Sequence, residues 1–179
     1  MKKAVFLDRD GVINKTIIED GLPSSPNSLD ELEILPGVKE SILKLKKLNF
    51  ICIVVTNQPD VPRRKINKNT VIKINNFLKK VIELDDIFVC YHDDKDNCNC
   101  RKPKPGLLLQ AGKKWNVDFK KSFMIGDRWR DMQSGEKAGC KTIYLDYNYR
   151  EKKPKNPDFV TDTLLNAVFF IEKLQNKKV

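Results

Sequence analysis

Short apolar runs alternate with longer amphipathic stretches along this chain of 179 residues. Five of the runs are rich in β-branched or aromatic residues and predict strands at residues 4–7, 51–55, 87–90, 122–125 and 142–145. Strands that alternate with helices are typical of a parallel sheet with crossover helices on its faces. The pattern therefore predicts an α/β fold, with a central parallel sheet of about five strands flanked by helices.

Apolar residues at helical spacing predict the elements that cover this sheet. One series runs over residues 38–48, and a second runs over residues 71–82 behind Asn69, which is the expected N-cap. Further helices are predicted over residues 106–115, 131–138 and about 162–174. Two prolines indicate that residues 151–158 form an extended surface link before the last helix.

The segment between the first strand and the first helix is unusually long. Residues 14–35 exceed an ordinary connection between a strand and a helix, and they contain Gly21, Pro23 and Pro26. Long loops of this kind commonly carry function, so we expect a flap over a binding site. The segment is too short for a separate cap domain, and we expect a single domain over residues 1–179.

Membrane insertion and secretion are not expected. The chain has no apolar run of the roughly 18 residues that a membrane span needs. Met1, Lys2 and Lys3 lead straight into the first strand rather than into an apolar leader. We therefore expect a soluble, cytoplasmic protein with no membrane partner, and we expect a monomer.

Carboxylates follow two of the predicted strands. Asp8 and Asp10 come after the first strand and Asp127 and Asp131 after the fourth, with Gly11 allowing a sharp turn. The carboxyl ends of parallel strands meet at one edge of a sheet, where ligands bind. Two acids of different pKa can divide the work there, one attacking while the other handles a proton. So many carboxylates in one place require a cation, and their hard oxygens suit Mg²⁺.

Groups that bind phosphate are predicted at the same edge. The second strand ends in a hydroxyl and two amides, from Thr56, Asn57 and Gln58. Arg101 and Lys102 supply positive charge just before a predicted helix, where a phosphoryl group can be held. These residue types predict a site for a phosphorylated ligand.

The five cysteines fall into two sets. Cys52 and Cys140 lie in or beside apolar runs and are expected in the core. The other three form, with the only histidine of the chain, a complete set of tetrahedral zinc ligands: Cys90, His92, Cys98 and Cys100. A closed set predicts a structural Zn²⁺ ion, which would pin a polar loop and fix Arg101 and Lys102 beside the site.

The formal net charge of +10 raises the possibility of a nucleic-acid partner. A basic, zinc-stabilised module that binds nucleic acid should place stacking aromatic residues between basic ones. Trp115 and Trp129 are not arranged in that way, and the lysines are scattered over helix faces. We therefore expect no nucleic-acid partner, and a small phosphorylated metabolite would benefit from the same positive field.

The sequence also resembles a known family. Four segments match the motifs of the haloacid dehalogenase-like (HAD) phosphatases in the family order: DRDGVIN, TNQ, RKPKPG and GDRWRD. They are most similar to subfamily IIIA, the small group of D-glycero-D-manno-heptose 1,7-bisphosphate 7-phosphatases and histidinol-phosphate phosphatases, which shares the cysteine and histidine arrangement. The resemblance spans about residues 4–147. It implies a Rossmann-like HAD fold without a cap domain and Mg²⁺-dependent hydrolysis of a phosphomonoester.

The resemblance implies a role for each residue of the site. Asp8 would be the nucleophile that forms an aspartyl-phosphate. Asp10 would protonate the leaving alkoxide and then activate water, a task that calls for a raised pKa. The Asp8 and Asp127 carboxylates and the Asp10 carbonyl would bind Mg²⁺, with Asp131 orienting them. The transferring phosphoryl group would be held by two further residues, Thr56 and Lys102.

The resemblance leaves two substrate classes open. A heptose 1,7-bisphosphate on the way to surface polysaccharide, hydrolysed at position 7, is favoured. The alternative is histidinol phosphate or another sugar phosphate, because only five residues separate His92 from Cys98. The usual glycine-rich segment after TNQ is replaced by residues 59–64, which include two prolines. Arginine forks suit a second phosphate, and the expected substrate contacts are Asn57, Gln58, Arg63, Arg101 and Arg128.

Overall fold

The computed structural model of the protein describes residues 1–19 and 21–176. The strands in this part of the chain are β1 (Lys3–Leu7), β2 (Ile17–Glu19), β3 (Leu22–Ser24), β4 (Phe50–Asn57), β5 (Asp86–Cys90), β6 (Phe123–Gly126), β7 (Lys141–Leu145) and β8 (Phe159–Thr161). The α-helices are α1 (Val38–Lys47), α2 (Lys68–Val81), α3 (Gly106–Trp115), α4 (Trp129–Ala138) and α5 (Leu164–Asn176). Six strands form one sheet in the order β5-β4-β1-β6-β7-β8, and all neighbours in it are parallel.

The central strand β1 is buried on both of its faces. Val5 and Leu7 belong to the apolar core that includes α1, α2 and α5. Ala4 and Phe6 belong to the core on the other side, which includes α3. Successive side chains of a strand point to opposite faces, so a strand covered on both sides needs a continuous apolar sequence. This layering confirms the predicted α/β fold with a parallel sheet between helices.

The carboxyl ends of β1, β4 and β6 lie together at one edge of the sheet. Leu7 is in register with Val54 of β4 and Ile125 of β6. The next residue, Asp8, donates its backbone N–H to the Ile125 carbonyl at 3.0 Å. Polar residues that follow these three strands therefore meet at the edge where such sheets bind ligands.

The predicted flap contains a small hairpin in its described residues. β2 and β3 pair in antiparallel fashion and form a sheet of their own. The loop after β3 returns to the carboxyl edge, where the Ser25 hydroxyl donates a hydrogen bond to Asp10 Oδ2 at 2.8 Å. The flap therefore touches the residues at the end of β1.

Some boundaries differ from the sequence prediction. The sheet has a sixth strand, β8, which pairs with β7 just after the predicted surface link; a strand of three residues carries too little pattern to be recognised. The N-cap of α2 is Asn67 and not Asn69, since the Asn67 side chain accepts the Asn69 N–H at 2.8 Å. α4 begins two residues before the predicted 131, at Trp129. No helix among the described residues is both long and apolar enough for a membrane span.

Candidate active site

Three carboxylates lie close together at the carboxyl edge of the sheet. Asp8 follows β1, Asp127 follows β6, and Asp131 lies in the first turn of α4. One oxygen from each of them lies within 4.8 Å of the other two. Gly11, at φ 84°, makes room for this approach, because a Cβ on it would collide with the Asp127 carboxylate. Three of the four carboxylates predicted at this edge thus form a cluster, and the fourth, Asp10, lies beside it.

Lys102 reaches the same carboxylates from the loop before α3. Its side chain is 2% exposed, and its Nζ lies 2.9 Å from Asp8 Oδ1 and 2.6 Å from Asp131 Oδ1. The same nitrogen donates a hydrogen bond to the Val55 carbonyl at 2.8 Å. Two carboxylate oxygens and one carbonyl oxygen thus surround an ammonium group that has three donors. Lys102 is therefore a pinned charge and not a solvated one.

Asn57 holds the backbone of Lys102 in place. Its side-chain Nδ2 donates to the Lys102 carbonyl at 3.0 Å, and its Oδ1 accepts the Lys102 N–H at 3.1 Å. The sequence analysis expected Asn57 to contact substrate. The side chain does line the cleft, but both of its polar atoms are used to attach the Lys102 loop to the end of β4.

The carboxylates carry more negative charge than Lys102 can balance. Burial raises the pKa of Asp8 to about 7, with Lys102 opposing the shift and Asp131 adding to it. Burial and the neighbouring charge of Asp8 raise the pKa of Asp127 well above its ordinary value of 3.8. A cation bound beside these carboxylates would oppose both shifts.

The residues fit a divalent metal ion. Both oxygens of Asp127 are buried, and neither has a partner at hydrogen-bonding geometry in the described part of the chain, although Tyr149 is close by. Buried, unpaired carboxylate oxygens are costly unless a cation binds them. Asp131 is engaged differently, since its Oδ2 accepts the Arg128 N–H at 3.0 Å and its Oδ1 faces Lys102. The donor set is all oxygen, as Mg²⁺ prefers.

Asp10 lies beside this cluster in a dense network of hydrogen bonds. Its oxygens accept from Arg9, from Asn14 Nδ2 at 2.9 Å, from Ser25 Oγ at 2.8 Å and from Gln58 Nε2 at 2.9 Å. Burial alone would raise its pKa, but the Arg9 charge and these donors outweigh burial and lower the pKa below 3.8. The expectation of a raised pKa for Asp10 is therefore wrong for the protein at rest, because Arg9 and Asn14 of the same segment, together with Ser25 of the flap, stabilise the ionised carboxylate.

Asp8, Asp10 and Asp127 line a cleft of about 370 Å³. Its walls come from the β2–β3 hairpin, from the Pro59 to Lys65 segment and from the loop that precedes α3. Asn57, Arg63, Arg101 and Arg128 also line it, as the sequence analysis expected of substrate contacts. Gln58 does not, because its side chain is fully buried beneath Asp10. Thr56 is 1% exposed and accepts a hydrogen bond from Gln58 at 3.0 Å.

The arginines of the cleft are already paired with carboxylates. Arg63 forms a two-point contact with Asp93, at 2.6 and 2.8 Å. Arg128 binds Glu151 in the same way, at 2.6 and 2.9 Å. Arg101 binds Asp94 at 2.9 Å. These three arginines were predicted from the sequence as substrate contacts. Their carboxylate partners lie elsewhere in the chain and could not be located from the sequence.

Two further cations on the cleft wall were missed by the sequence analysis. Arg130 of α4 contacts the same Asp94 carboxylate as Arg101 does, at 3.2 Å. Lys65 is the cleft cation for which the described residues show no carboxylate at ion-pairing distance. Its only signal in the sequence is its place at the end of the divergent segment after TNQ.

The three cysteines and the histidine form a second cluster beside the cleft. The sulfur atoms of Cys90, Cys98 and Cys100 lie 3.2 to 3.7 Å apart. His92 Nδ1 lies 3.6 Å from Cys90 Sγ and 3.3 Å from Cys100 Sγ. Sulfur ligands at about 2.3 Å from a tetrahedral zinc ion would be separated by about 3.8 Å. The cluster is thus compact enough to hold a metal ion.

The thiols of this cluster differ in acidity. Burial raises the pKa of Cys90 and Cys100 above the ordinary value of 9.0. Burial would do the same for Cys98, but the Arg101 backbone N–H and the two other thiols lower its pKa to about 7. Cys98 is therefore the thiol that is ionised most readily, and a thiolate is the form that binds metal.

Comparisons with known proteins agree with this geometry. The model of the haloacid dehalogenase-like hydrolase family matches residues 25–139. The D-glycero-beta-D-manno-heptose-1,7-bisphosphate 7-phosphatase of Pasteurella multocida is 35% identical over 156 residues, 81% of this chain and 82% of that protein. The protein of the same name from Haemophilus influenzae is 30% identical and covers 98% of this chain and 100% of that protein.

A solved structure is similar over almost the whole chain. The D,D-heptose 1,7-bisphosphate phosphatase from B. bronchiseptica, complexed with magnesium and phosphate, superposes with a TM-score of 0.78 at 27% identity. The match covers 98% of this chain and 99% of that one. The overall fold of this chain is therefore similar to that of a protein crystallised with both ligands.

Proposed function

The chain belongs to the haloacid dehalogenase-like hydrolases, and we propose that it is a Mg²⁺-dependent phosphatase that removes the 7-phosphate of D-glycero-D-manno-heptose 1,7-bisphosphate. The observation that carries the proposal is that Asp8 lies 2.9 Å from the buried ammonium group of Lys102 and within 4.8 Å of Asp127, whose oxygens have no hydrogen-bond partner among the described residues. An attacking carboxylate, a fixed positive charge and a cation site then meet at one point of the cleft.

The reaction takes place in two displacements at phosphorus. An Asp8 oxygen forms a bond to phosphorus as the bond from phosphorus to the alkoxide oxygen breaks, and Asp10 delivers a proton to that oxygen. Asp10 then accepts a proton from water, the water oxygen attacks phosphorus, and inorganic phosphate leaves as the Asp8 carboxylate is restored. A bound Mg²⁺ ion would neutralise negative charge on the phosphoryl oxygens, held by the Asp8 and Asp127 carboxylates and the Asp10 carbonyl.

The other polar residues act by position and charge. Lys102 offsets the negative charge of Asp8 and of the phosphoryl group. The Thr56 hydroxyl donates a hydrogen bond to the phosphoryl group. Asp131 orients Lys102 and the start of α4, because its oxygens face Lys102 Nζ and the Arg128 N–H. We assign it this orienting role and not direct metal binding.

Asp10 must gain a proton before it can act as an acid. Its pKa is lowered in the protein at rest, so it is ionised when the cleft is empty of substrate. A phosphoryl dianion in the cleft is a like charge close to Asp10, and like charges raise a carboxyl pKa. Substrate binding thus favours the protonated form that the first displacement needs, and the ionised form returns for the second.

The cysteine cluster is proposed to bind a structural Zn²⁺ ion. All four positions are filled by protein ligands, Cys90, His92, Cys98 and Cys100, which leaves no open site for chemistry. The ion would hold the loop from which Asp93 and Asp94 contact Arg63 and Arg101. Zinc would thus act at a distance, by fixing the arginines on the cleft wall.

The assignment of a heptose bisphosphate is supported by the relatives that carry this name. A second phosphate needs a cation that is not already neutralised. Among the described cleft residues Lys65 meets that requirement, so we propose that it contacts the phosphate that is not hydrolysed. The paired Arg63 and Arg101 would line the path and bind sugar hydroxyls or phosphate through their remaining N–H groups.

Histidinol phosphate is the second candidate substrate. Two observations favour it: the five-residue spacing between His92 and Cys98, and the neutralised arginines, which remove part of the repulsion that its own ammonium group would meet. A phosphate-release assay with heptose 1,7-bisphosphate, histidinol phosphate and nucleotides decides between them. We expect the highest kcat/KM for the heptose bisphosphate, and a clear preference for histidinol phosphate would overturn the choice.

We propose further that the protein works as a monomer in the cytoplasm. The residues proposed to carry the chemistry, Asp8, Asp10, Lys102 and Asp127, meet in one cleft of the chain. All five cysteines are free thiols, as expected in a reducing compartment.

A further inference from the structure

Arg9 is a fully buried arginine between the two acids of the DRD segment. Its Nε and Nη2 donate to Asp10 Oδ1 at 3.1 and 3.0 Å, and Nη2 also reaches Asp10 Oδ2 at 3.0 Å. Its remaining nitrogen, Nη1, donates to Asn75 Oδ1 at 3.1 Å. The guanidinium group thus joins the end of β1 to a side chain of α2.

Asn75 is an unusual residue for its position. It is 7% exposed and lies on the inward face of α2 with Val71, Ile74 and Leu78, all of which are apolar. Asparagine is unfavourable in a helix interior, and a buried amide is costly without a partner. Arg9 provides that partner, so its hydrogen bond with Asn75 accounts for a buried asparagine at this position of the helix.

The Arg9 fork restrains Asp10 in a way that single hydrogen bonds do not. Asn14, Ser25 and Gln58 each donate one hydrogen bond to Asp10. A guanidinium group that contacts both carboxylate oxygens fixes the plane of the carboxylate as well as its distance. The fork itself is fixed only if its third nitrogen is held, which is the contact that Asn75 makes.

We propose that Asn75 is a positioning residue for proton transfer: through Arg9 it sets the direction in which the Asp10 carboxylate faces the leaving oxygen. The inference rests on the proposed function, in which Asp10 is the acid of the first displacement. Without the Asn75 contact the fork turns more freely, and Asp10 is less often within hydrogen-bonding reach of that oxygen.

The test compares two phosphate esters that differ in their need for a proton. The heptose bisphosphate leaves an alkoxide, which must be protonated, whereas 2,4-dinitrophenyl phosphate leaves a phenolate that is stable without a proton. The ratio kcat/KM covers only the steps up to phosphoenzyme formation, so the later role of Asp10 as a base does not enter. A loss confined to the alkyl ester thus reports on the acid alone.

Asn75→Ala is the test variant and Asn76→Ala is the matched control, since Asn76 is the next residue of α2 and is exposed. We expect Asn75→Ala to lower kcat/KM about tenfold for the heptose bisphosphate and less than twofold for the dinitrophenyl ester, as for a displaced acid. Asn76→Ala should leave both values unchanged. Arg9→Lys keeps the charge but not the two-point contact, and it should show the same selective loss. It replaces Asn75→Ala as the test variant if Asn75→Ala does not fold.

Asp10→Asn separates this inference from the function on which it rests. If Asp10→Asn is selectively impaired on the alkyl ester while Asn75→Ala and Arg9→Lys lose equally on both esters, or on neither, the positioning role of Asn75 is overturned alone. If Asp10→Asn itself shows no selective loss, the acid role of Asp10 falls. A wild-type protein that hydrolyses neither ester overturns the proposed function and this inference together.

Discussion

The ammonium nitrogen of Lys102 lies 2.9 Å from the carboxylate oxygen Oδ1 of Asp8, and both side chains are almost withdrawn from water. The contact joins the loop before α3 to the end of β1. Lys102 also faces Asp131 at 2.6 Å, so one cation holds two carboxylates that would otherwise repel each other. This arrangement keeps Asp8, the proposed nucleophile, in place and reduces the charge that an incoming phosphate would meet.

Replacing Lys102 with methionine should therefore damage both activity and stability. Lys102→Met keeps most of the volume but leaves Asp8 and Asp131 facing each other without a cation. We expect kcat to fall at least about 100-fold, as on removal of one group that stabilises developing charge. We also expect the melting temperature to fall, because breaking a buried ion pair costs about 3 to 5 kcal/mol. Unchanged turnover would show that Lys102 is only structural.

Mg²⁺ should stabilise the protein more strongly at high pH than at low pH. The pKa of Asp8 is raised to about 7 in the metal-free protein, from an ordinary 3.8. Between these values the folded state holds a proton that the unfolded chain has released, so this contribution to the free energy of unfolding declines as pH rises. A bound cation replaces the proton.

Melting curves with and without Mg²⁺ test that expectation. The increase in melting temperature should be several degrees at about pH 8 and clearly smaller at about pH 5, where protons compete for the same oxygens. Asp127→Asn should abolish most of the increase at the higher pH. An increase that is equal at both pH values would contradict the assignment of these carboxylates as the metal site.

Zinc should affect stability more than chemistry. Cys98→Ser removes one of four metal ligands, so we expect loss of bound zinc, a lower melting temperature and a raised KM as the loop that carries Asp93 and Asp94 loosens. Cys140→Ser, a change at a buried thiol outside the cluster, is the control and should keep the zinc. Metal analysis that finds no zinc in wild-type protein purified without a chelator would refute the zinc assignment.

Lys65 should matter only for a substrate with two phosphates. Lys65→Gln removes the cleft cation that has no carboxylate partner among the described residues, and we expect KM for the heptose bisphosphate to rise about fivefold with kcat nearly unchanged, which is the signature of lost uniform binding. The kinetic constants for p-nitrophenyl phosphate should not change. Arg64→Gln removes the same charge from the neighbouring exposed residue and is the matched control. Equal effects of the two variants would indicate that the overall positive electrostatic field matters, and not a direct contact between Lys65 and the second phosphate.

The fold could be predicted from the sequence where its pattern is local. The apolar run before Asp8 predicts a strand that stops at the site, and the structure ends β1 at Leu7. The predicted helix over 106–115 has the bounds of α3. β8 was missed because its three residues are a strand only through their pairing with β7, which is a property of the tertiary structure.

The candidate site could be predicted in its residue types but not in its partners. Asp8, Asp127 and Asp131 meet because strand ends meet, which follows from topology. The pairing of Arg63 with Asp93 depends on how two loops approach each other, and no local pattern encodes that. The low pKa of Asp10 is largely local in origin, since Arg9 and Asn14 of the same segment lower it, and only the Ser25 contribution comes from the distant flap. A count of charges along a sequence therefore overestimates the free charge in a cleft.

In the proposed mechanism the Asp8 carboxylate takes the phosphoryl group from the substrate. The most direct measurement uses Asp10→Asn protein, in which loss of the base should slow hydrolysis of the phosphoenzyme. The protein is mixed with Mg²⁺ and 2,4-dinitrophenyl phosphate, whose leaving group needs no proton from Asp10, then quenched in acid and digested, and the peptides are analysed by mass spectrometry. We predict one added phosphoryl group on the peptide that contains Asp8, and none in an Asp8→Asn control that is folded and inactive. A phosphoryl group on another residue, or turnover by Asp8→Asn protein above a few per cent of wild type, would contradict the assignment of Asp8 as the nucleophile.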